Sequence, residues 1–260
     1  MARAVPALSR ALDILEVFLD GGYHSLPEIT RKLALPRTSA HELVNTLLER
    51  SYLMRAPEPG KYRLGVPLYQ LGSVFSEQLD LAREGNEVIT GVAARCGETV
   101  HLAVLEGHEV TYIGKVDSSH RLRLVSGVGR RLPAHCTGVG KMLLSNVDST
   151  RLAELYGKRA LPAMTANSIT SLPELKRQLA EIRDTGLAIE YCESNEDAAC
   201  VAAPVRDAGG TVVAAMSITV PTIRWSEEAR AELAGFVRTG ARELSARLGY
   251  REVPELAPAR

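Results

Sequence analysis

The stretch Ser25-Leu26-Pro27-Glu28-Ile29-Thr30-Arg31-Lys32-Leu33-Ala34-Leu35-Pro36-Arg37-Thr38-Ser39-Ala40-His41-Glu42-Leu43-Val44-Asn45 reads as two short helices with a forced break between them. Ser25 followed three residues later by Glu28 is a capping-box pattern, and Pro27 suits the first turn of the helix it opens. Leu26, Ile29 and Leu33 give that helix an apolar side. Leu35-Pro36 then breaks it, because the residue before a proline is pushed out of the helical region. Beyond the break Ala40, Leu43, Val44, Leu47 and Leu48 fall on one face of a second helix, while Thr38, His41, Glu42, Asn45 and Glu49 fall on the other. Two short helices with a tight turn, the second showing a face of hydrogen-bonding side chains, fit the unit that docks in the major groove of DNA.

Upstream, Leu8, Leu12, Leu15 and Leu19 recur at helical spacing and predict a preceding helix packed through that stripe and stopped by Gly21-Gly22. Downstream, Tyr52-Leu53-Met54 and Tyr62-Arg63-Leu64 flank Pro57-Glu58-Pro59-Gly60, a hairpin with a breaker-rich turn, which is a wing. A bare three-helix core with a hairpin would show the same stripes. What favours a winged helix-turn-helix over residues 1–66 is placement. Arg37, Thr38, Ser39 and His41 stand in the first turns of the third helix, with Asn45 further along its polar face, where side chains reach base edges. Arg55, Lys61 and Arg63 stand on the wing, where they reach phosphates. Arg3, Arg10, Arg31, Lys32, Arg37, Arg50, Arg55, Lys61 and Arg63 face seven acids, so the electrostatic share of binding comes from placement and from dimerisation.

Composition narrows the rest. With 260 residues, 45% of them apolar, the chain is long enough for two domains with real cores, and a formal net charge of zero argues against a non-specific nucleic-acid coat. The sequence shows no long apolar run and no charged-then-apolar leader, so the expectation is a cytoplasmic protein without a membrane partner. Cys96, Cys136, Cys192 and Cys200 show no C-x-x-C spacing and are expected as free thiols in a reducing compartment.

Residues 67–97 form the expected linker. Leu68, Leu71, Val74, Phe75, Leu79, Val88 and Val92 recur at helical intervals, giving one or two helices broken near Gly85, either a stiff transmitting element or a plain packing layer. From residue 98 to 260 the pattern becomes mixed. Strands are expected at Thr99–Leu105 and Val110–Val116 about the Glu106-Gly107-His108 turn, in the alternating Arg121–Ser126 segment, and at Leu187–Cys192, Cys200–Arg206 and Val212–Val220. Helices are expected at Gly138–Ser145, at Thr150–Tyr156, from Ser171 to Asp184, and from Ser226 to Leu248. Strands on both sides of a helical block make an α+β domain, an antiparallel sheet flanked by helices.

Leu132-Pro133-Ala134-His135-Cys136-Thr137-Gly138-Val139-Gly140-Lys141, Cys200-Val201-Ala202-Ala203-Pro204-Val205-Arg206-Asp207, Ala214-Ala215-Met216-Ser217-Ile218-Thr219-Val220-Pro221 and the opening Leu8-Ser9-Arg10-Ala11-Leu12-Asp13-Ile14-Leu15-Glu16 together resemble the IclR family of bacterial transcriptional regulators. The resemblance runs in order along almost the whole chain. It implies a winged helix for operator DNA, a linker helix, and a GAF-like C-terminal domain that binds a small effector, often an organic or aromatic acid. It also places Cys200 on the first of two closing strands, Ser217 and Thr219 on the second, and Leu124 and Leu132 in an apolar wall.

The chemistry of such a pocket follows from the residues. Gly138-Val139-Gly140 opens a helix whose first backbone N–H groups suit a carboxylate. Ser217 and Thr219, two apart on a strand, point to one face, so both hydroxyls can donate to one anion. Glu190 is a candidate acceptor for an effector hydroxyl or amine. Two departures from the family pattern stand out: Asp197 replaces a frequent glycine, and Thr219 replaces a frequent serine.

Other chemistries have weaker signals. Gly140-Lys141 is not a phosphate loop, since Met142 replaces the magnesium-binding hydroxyl residue and His135 the first glycine. His135-Cys136, with Cys200 as partner, suggests a thiol-dependent enzyme or sensor in which the winged helix is only an interaction module. Adjacent strand residues point apart, however, which separates His135 from its neighbour. His101, Cys136, Cys192 and Cys200 lack a metal-ligand spacing, so neither metal nor cofactor is expected. The partners expected are double-stranded operator DNA, a small organic acid and further copies of the chain, as a homodimer or tetramer.

Overall fold

The computed structural model describes residues 5–78, 80–121, 127–157 and 161–251, with the side chains of 75–80 excepted. The chain divides after residue 79 into two compact units.

The first unit opens with helix α1 (Pro6–Glu16), which tightens into a 3-10 turn over Val17–Asp20 and stops at Gly21 in the left-handed region. Strand β1 (His24–Ser25), helices α2 (Leu26–Leu33) and α3 (Arg37–Glu49), strands β2 (Leu53–Arg55) and β3 (Lys61–Leu64) and helix α4 (Val66–Gln78) follow. The two-helix stretch folds as its spacing predicts. Glu28 Oε2 accepts from the Ser25 N–H at 2.7 Å, closing the capping box that starts α2. Ala34 closes α2 in the left-handed region, and α3 begins directly after Pro36. Ile14, Phe18, Ile29, Val44, Leu47 and Leu53 form the core, each contributing about 1.5–3 kcal/mol by leaving water.

The first helix differs from its expectation. Leu8, Leu12 and Leu19 are more than half exposed, and Ile14 and Phe18 are buried in their place. The leucine stripe has the right period but mostly the wrong face: the core is met by the Ile14 side, and of the stripe only Leu15 packs against it. β1 is also a strand that the sequence does not announce: His24 and Ser25 pair with Tyr62 and Lys61, making the hairpin a three-stranded sheet of order β1-β3-β2.

The second unit begins with helix α5 (Asp80–Cys96). Gly85 is no break: it lies inside α5, where an added Cβ would stand 2.3 Å from Leu102 Cδ2, so glycine is what lets the helix press against the sheet. Strands β4 (Thr99–Glu106), β5 (Glu109–Val116), β6 (Arg131–Pro133), β7 (Ala188–Tyr191), β8 (Ala198–Arg206) and β9 (Val212–Pro221) form one antiparallel sheet of order β6-β5-β4-β9-β8-β7. Helices α6 (Gly138–Leu144), α7 (Ser149–Tyr156) and α8 (Leu172–Thr185) lie between β6 and β7, and α9 (Glu227–Arg247) ends the fold. The alternation expected over Arg121–Ser126 lies, apart from Arg121, outside the described residues.

Strand alternation sorts the core into two layers. Val100, Leu102, Val201, Met216 and Ile218 face α5 and α9, where they meet Val88, Val92, Val237 and Leu244. Ala103, Val110, Ala202 and Ala215 face the other way, toward Met142, Leu144, Leu175 and Leu179 of α6 and α8. Every residue of α6 is buried. The small alanines of the second layer let α6 lie close to the sheet, and a cavity opens beside it.

Candidate functional site

On the first unit, Arg37, Thr38 and His41 open α3 on its exposed side, and with Leu26 and Glu42 they line a shallow concavity. Ser39 is half-buried. His41 Nδ1 and Asn45 Nδ2 lie 3.2 Å apart, so these two polar side chains brace each other along the helix. On the wing Arg55 and Arg63 are exposed, whereas Lys61 is paired with Glu58 at 2.5 Å, and that carboxylate holds its ammonium pKa up. Asp20 accepts from Gly22 N, His24 Nε2 and Lys32 Nζ at 2.8–3.0 Å, which draws its pKa far below the usual carboxylate range, the His24 hydrogen bond being the largest cause.

In the second unit Leu132, Gly138, Val139, Glu190, Cys200, Ser217 and Thr219 surround one cavity of about 80 Å³, room for two or three waters at roughly 30 Å³ each. The sheet register brings them together. Cys200 pairs with Thr219 and Glu190 with Cys200, while Ser217 pairs with His101, so four strands present these groups on one face. Thr137 caps α6 by accepting from the Gly140 N–H at 3.2 Å. Gly140 therefore does not line the cavity. It packs on Ala134, whose carbonyl oxygen would stand 2.2 Å from an added Cβ, and its N–H is already used, so only the first part of the glycine stretch lines the cavity. Leu124 lies outside the described residues.

The cavity also holds residues that the sequence reading did not select for it: His101, Tyr112, Arg130, Thr137, Met164, Ser194, Asn195 and Ala198. Burial, and then the charge of Lys115, lowers the His101 pKa to about 4, which keeps the ring neutral. Its Nδ1 lies 3.4 Å from Thr219 Oγ1, and its ring is 5.0 Å from that of Tyr112. Arg130 brings a fixed positive charge to the mouth; its signal in sequence is only a basic pair, Arg130-Arg131, ahead of Leu132. Asp197 is exposed at the loop's edge, its N–H donating to Asn195 Oδ1 at 2.9 Å, and it does not line the cavity.

Glu190 is the most altered carboxyl of the site. It is buried, and desolvation pushes its pKa up to about 7 against the pull of the Glu193 and Ser194 N–H groups, which its Oε1 accepts at 2.6 and 3.1 Å. Its Oε2 accepts from the Cys200 thiol at 3.5 Å. Beneath, Lys141 is fully buried, ion-paired with Glu193 and bonded to Gln178 Oε1 at 2.9 Å, so the lysine of the false phosphate loop holds the fold together.

The thiols are held protonated. Burial raises Cys136 to about 12 and Cys200 well above the usual thiol range, and the Glu190 carboxylate adds to both. His135 lies in a 3-10 turn rather than a strand, and its Nε2 is bonded to Pro162 O at 3.0 Å. Among the described residues no group of three or more His, Cys, Asp or Glu is placed to hold a metal, and no helix is long and apolar enough to cross a membrane.

Residues 7–57 match the IclR helix-turn-helix domain, and residues 74–246 match the C-terminal domain of bacterial IclR transcriptional regulators. The chain is 31% identical over 251 residues to the HTH-type transcriptional regulator KdgR of Dickeya chrysanthemi, covering 96% of this chain and 82% of that protein. To XynR of Escherichia coli it is 32% identical over 250 residues, covering 95% and 98%. Among solved structures, an IclR homologue from Microbacterium hydrocarbonoxydans complexed with 4-hydroxybenzoate superposes with a TM-score of 0.79 at 28% identity, over 93% of this chain and 98% of that one. Thermotoga maritima IclR superposes with a TM-score of 0.74 at 30% identity, over 94% and 99%. A winged helix-turn-helix followed by a sheet domain with a polar-lined cavity, matched along nearly its full length, makes this chain a member of the IclR family of DNA-binding transcriptional regulators with a C-terminal effector-binding domain.

Proposed function

We propose that the chain acts in the cytoplasm, without catalytic turnover, as a homodimer or tetramer that reads operator DNA through α3 and the wing and responds to a small organic acid in the cavity beside α6. The observation that carries the ligand class is the arrangement of Ser217, Thr219, the start of α6 and Arg130 around one cavity whose histidine is neutral. Two hydroxyl donors, a helix start and a guanidinium suit a carboxylate. Tyr112, Leu132 and Met164 suit an apolar body, in keeping with the 4-hydroxybenzoate carried by the Microbacterium relative.

At about 80 Å³ the cavity is narrow, and a benzoate-sized acid favours a state in which its wall stands wider. A ligand that binds a wider state better than the narrow one shifts the population toward the wider state, which is how occupancy becomes a signal. Self-association is favoured by exposed apolar side chains on α1 and α4, Leu8, Leu12, Tyr69 and Leu71 among them. Two-fold pairing would set two recognition helices on successive half-sites.

Calorimetry with a panel of aromatic and aliphatic acids tests the reading. One acid should bind saturably, and Ser217→Ala with Thr219→Val should weaken it by about tenfold or more, the loss of one or two charge-assisted hydrogen bonds. Unchanged affinity in the double variant would remove these hydroxyls from the site.

A further inference from the structure

A second, larger opening lies on the sheet face covered by α9, away from the effector cavity. β7 pairs with β8 only as far as Ala202, so Ala203–Arg206 run on past the end of β7. There the end of α8, the free stretch of β8 and one side of α9 enclose a groove of about 510 Å³, within the range of roughly 300–1,000 Å³ that small-molecule sites occupy. Arg206 reaches it from β8, and Arg238 and Arg242, one helical turn apart, reach it from α9. Among the described residues, none that lines the groove is acidic.

Arg206 and Arg238, one from each wall, are held by main-chain oxygens. Arg206 Nη1 donates to Gly210 O at 2.9 Å, and Arg238 Nη2 donates to Thr185 O at 3.0 Å, bonds that fix the side chains without neutralising them. The two walls are tied as well: Ser245 Oγ accepts from Arg206 N at 2.9 Å and donates to Ala241 O at 2.6 Å. Pro204 occupies the stretch of β8 beyond β7 and offers no N–H, which disfavours an added strand of peptide and leaves the groove to a compact ligand.

We propose that this groove binds a small multivalent anion, a metabolite bearing two or more carboxylate or phosphate groups, as a second input distinct from the effector cavity. Forked guanidiniums on two facing walls recognise two acidic groups of one molecule, whereas a monoanion meets only one wall.

The test is calorimetry on the full-length protein at fixed ionic strength, with citrate, pyrophosphate and acetate as probes. Citrate or pyrophosphate should bind saturably at one per chain and more tightly than acetate, and whichever is preferred identifies carboxylate or phosphoryl recognition. Arg238→Gln with Arg242→Gln, on the exposed side of α9, should weaken it by about tenfold or more, while Ser217→Ala leaves it unchanged. Arg238→Gln alone carries the same expectation should the pair fail to fold. No saturable binding of citrate or pyrophosphate, acetate bound as tightly as either, or affinity unaltered by these variants would overturn the proposal.

Discussion

Gly138 and Cys200 share one space: a Cβ on Gly138 would stand 2.4 Å from the Cys200 sulfur. The start of α6 therefore reaches β8 only because residue 138 lacks a side chain. Gly138→Ala should cost about 1–3 kcal/mol in urea denaturation, the usual price of overpacking. Cys200→Ala, which clears the space, should recover part of that loss when combined with it. Strictly additive effects of the two changes would mean they do not meet in solution.

Glu190 and His101 give the cavity opposed pH dependences. Glu190 titrates near 4.5 in the unfolded chain and at about 7 in the fold, so its contribution is complete below pH 4.5 and lost as pH rises through 7. His101 falls from 6.5 to about 4, so its contribution is present above 6.5 and lost as pH falls through 4. Between about 4.5 and 6.5 the two slopes oppose, each of the order of 3 kcal/mol over its whole window. Glu190→Gln keeps an acceptor for the Glu193 and Ser194 N–H groups and leaves His101 alone, so stability of that variant should rise from pH 4.5 to 6.5 more steeply than in the parent. Equal slopes in denaturation at these pH values would contradict the assignment.

The same carboxyl should set the pH dependence of effector binding. A neutral Glu190 tolerates a carboxylate nearby and an ionised one repels it, so affinity for an organic acid should fall as pH rises from 6 to 8. Glu190→Gln should flatten that fall in a calorimetric titration; a parent protein with no pH dependence would separate Glu190 from the bound anion.

On DNA, base-edge and phosphate contacts are distinguishable. Arg37→Ala should cost about 1–3 kcal/mol and relax preference at one operator position, while Arg63→Ala should weaken all sequences alike and reduce the salt slope by about one. Lys61 is already paired with Glu58, so Lys61→Ala should matter less than Arg63→Ala. Anisotropy titrations at several salt concentrations measure both, and a larger Lys61 effect would show that the pair opens on DNA.

The parts of the fold that were legible in sequence are those fixed by local chemistry. Ser25 with Glu28, Leu35-Pro36 and the Glu106-Gly107-His108 turn each act over a few residues, and each stands where it was expected. Tertiary choices were less visible. Period shows that α1 is amphipathic, yet Ile14 and Phe18 face the core rather than Leu8, Leu12 and Leu19, because which stripe is covered is decided by the helices that pack on α1, α2 and α3. Gly85 looked like punctuation and is a close approach, a distinction that depends on Leu102, far off in sequence. In the cavity, motif and strand period point to Ser217 and Thr219, whereas His101 and Tyr112 come from strands whose alternation resembles any half-buried sheet. Gly140 carried the right residue type in the wrong role, since Thr137 takes its N–H.

The most direct test of the account measures DNA affinity of the full-length protein with and without its acid. DNA enriched by the protein from a random pool, labelled and titrated by fluorescence anisotropy at moderate salt, should contain paired half-sites about one helical turn, ~10 base pairs, or a multiple apart. Saturating the cavity with the acid identified by calorimetry should change the dissociation constant by about tenfold, a coupling within the usual allosteric range. Failure to enrich any sequence, or an affinity unmoved by saturating acid, would contradict the claim that the cavity beside α6 controls the reading of DNA by α3.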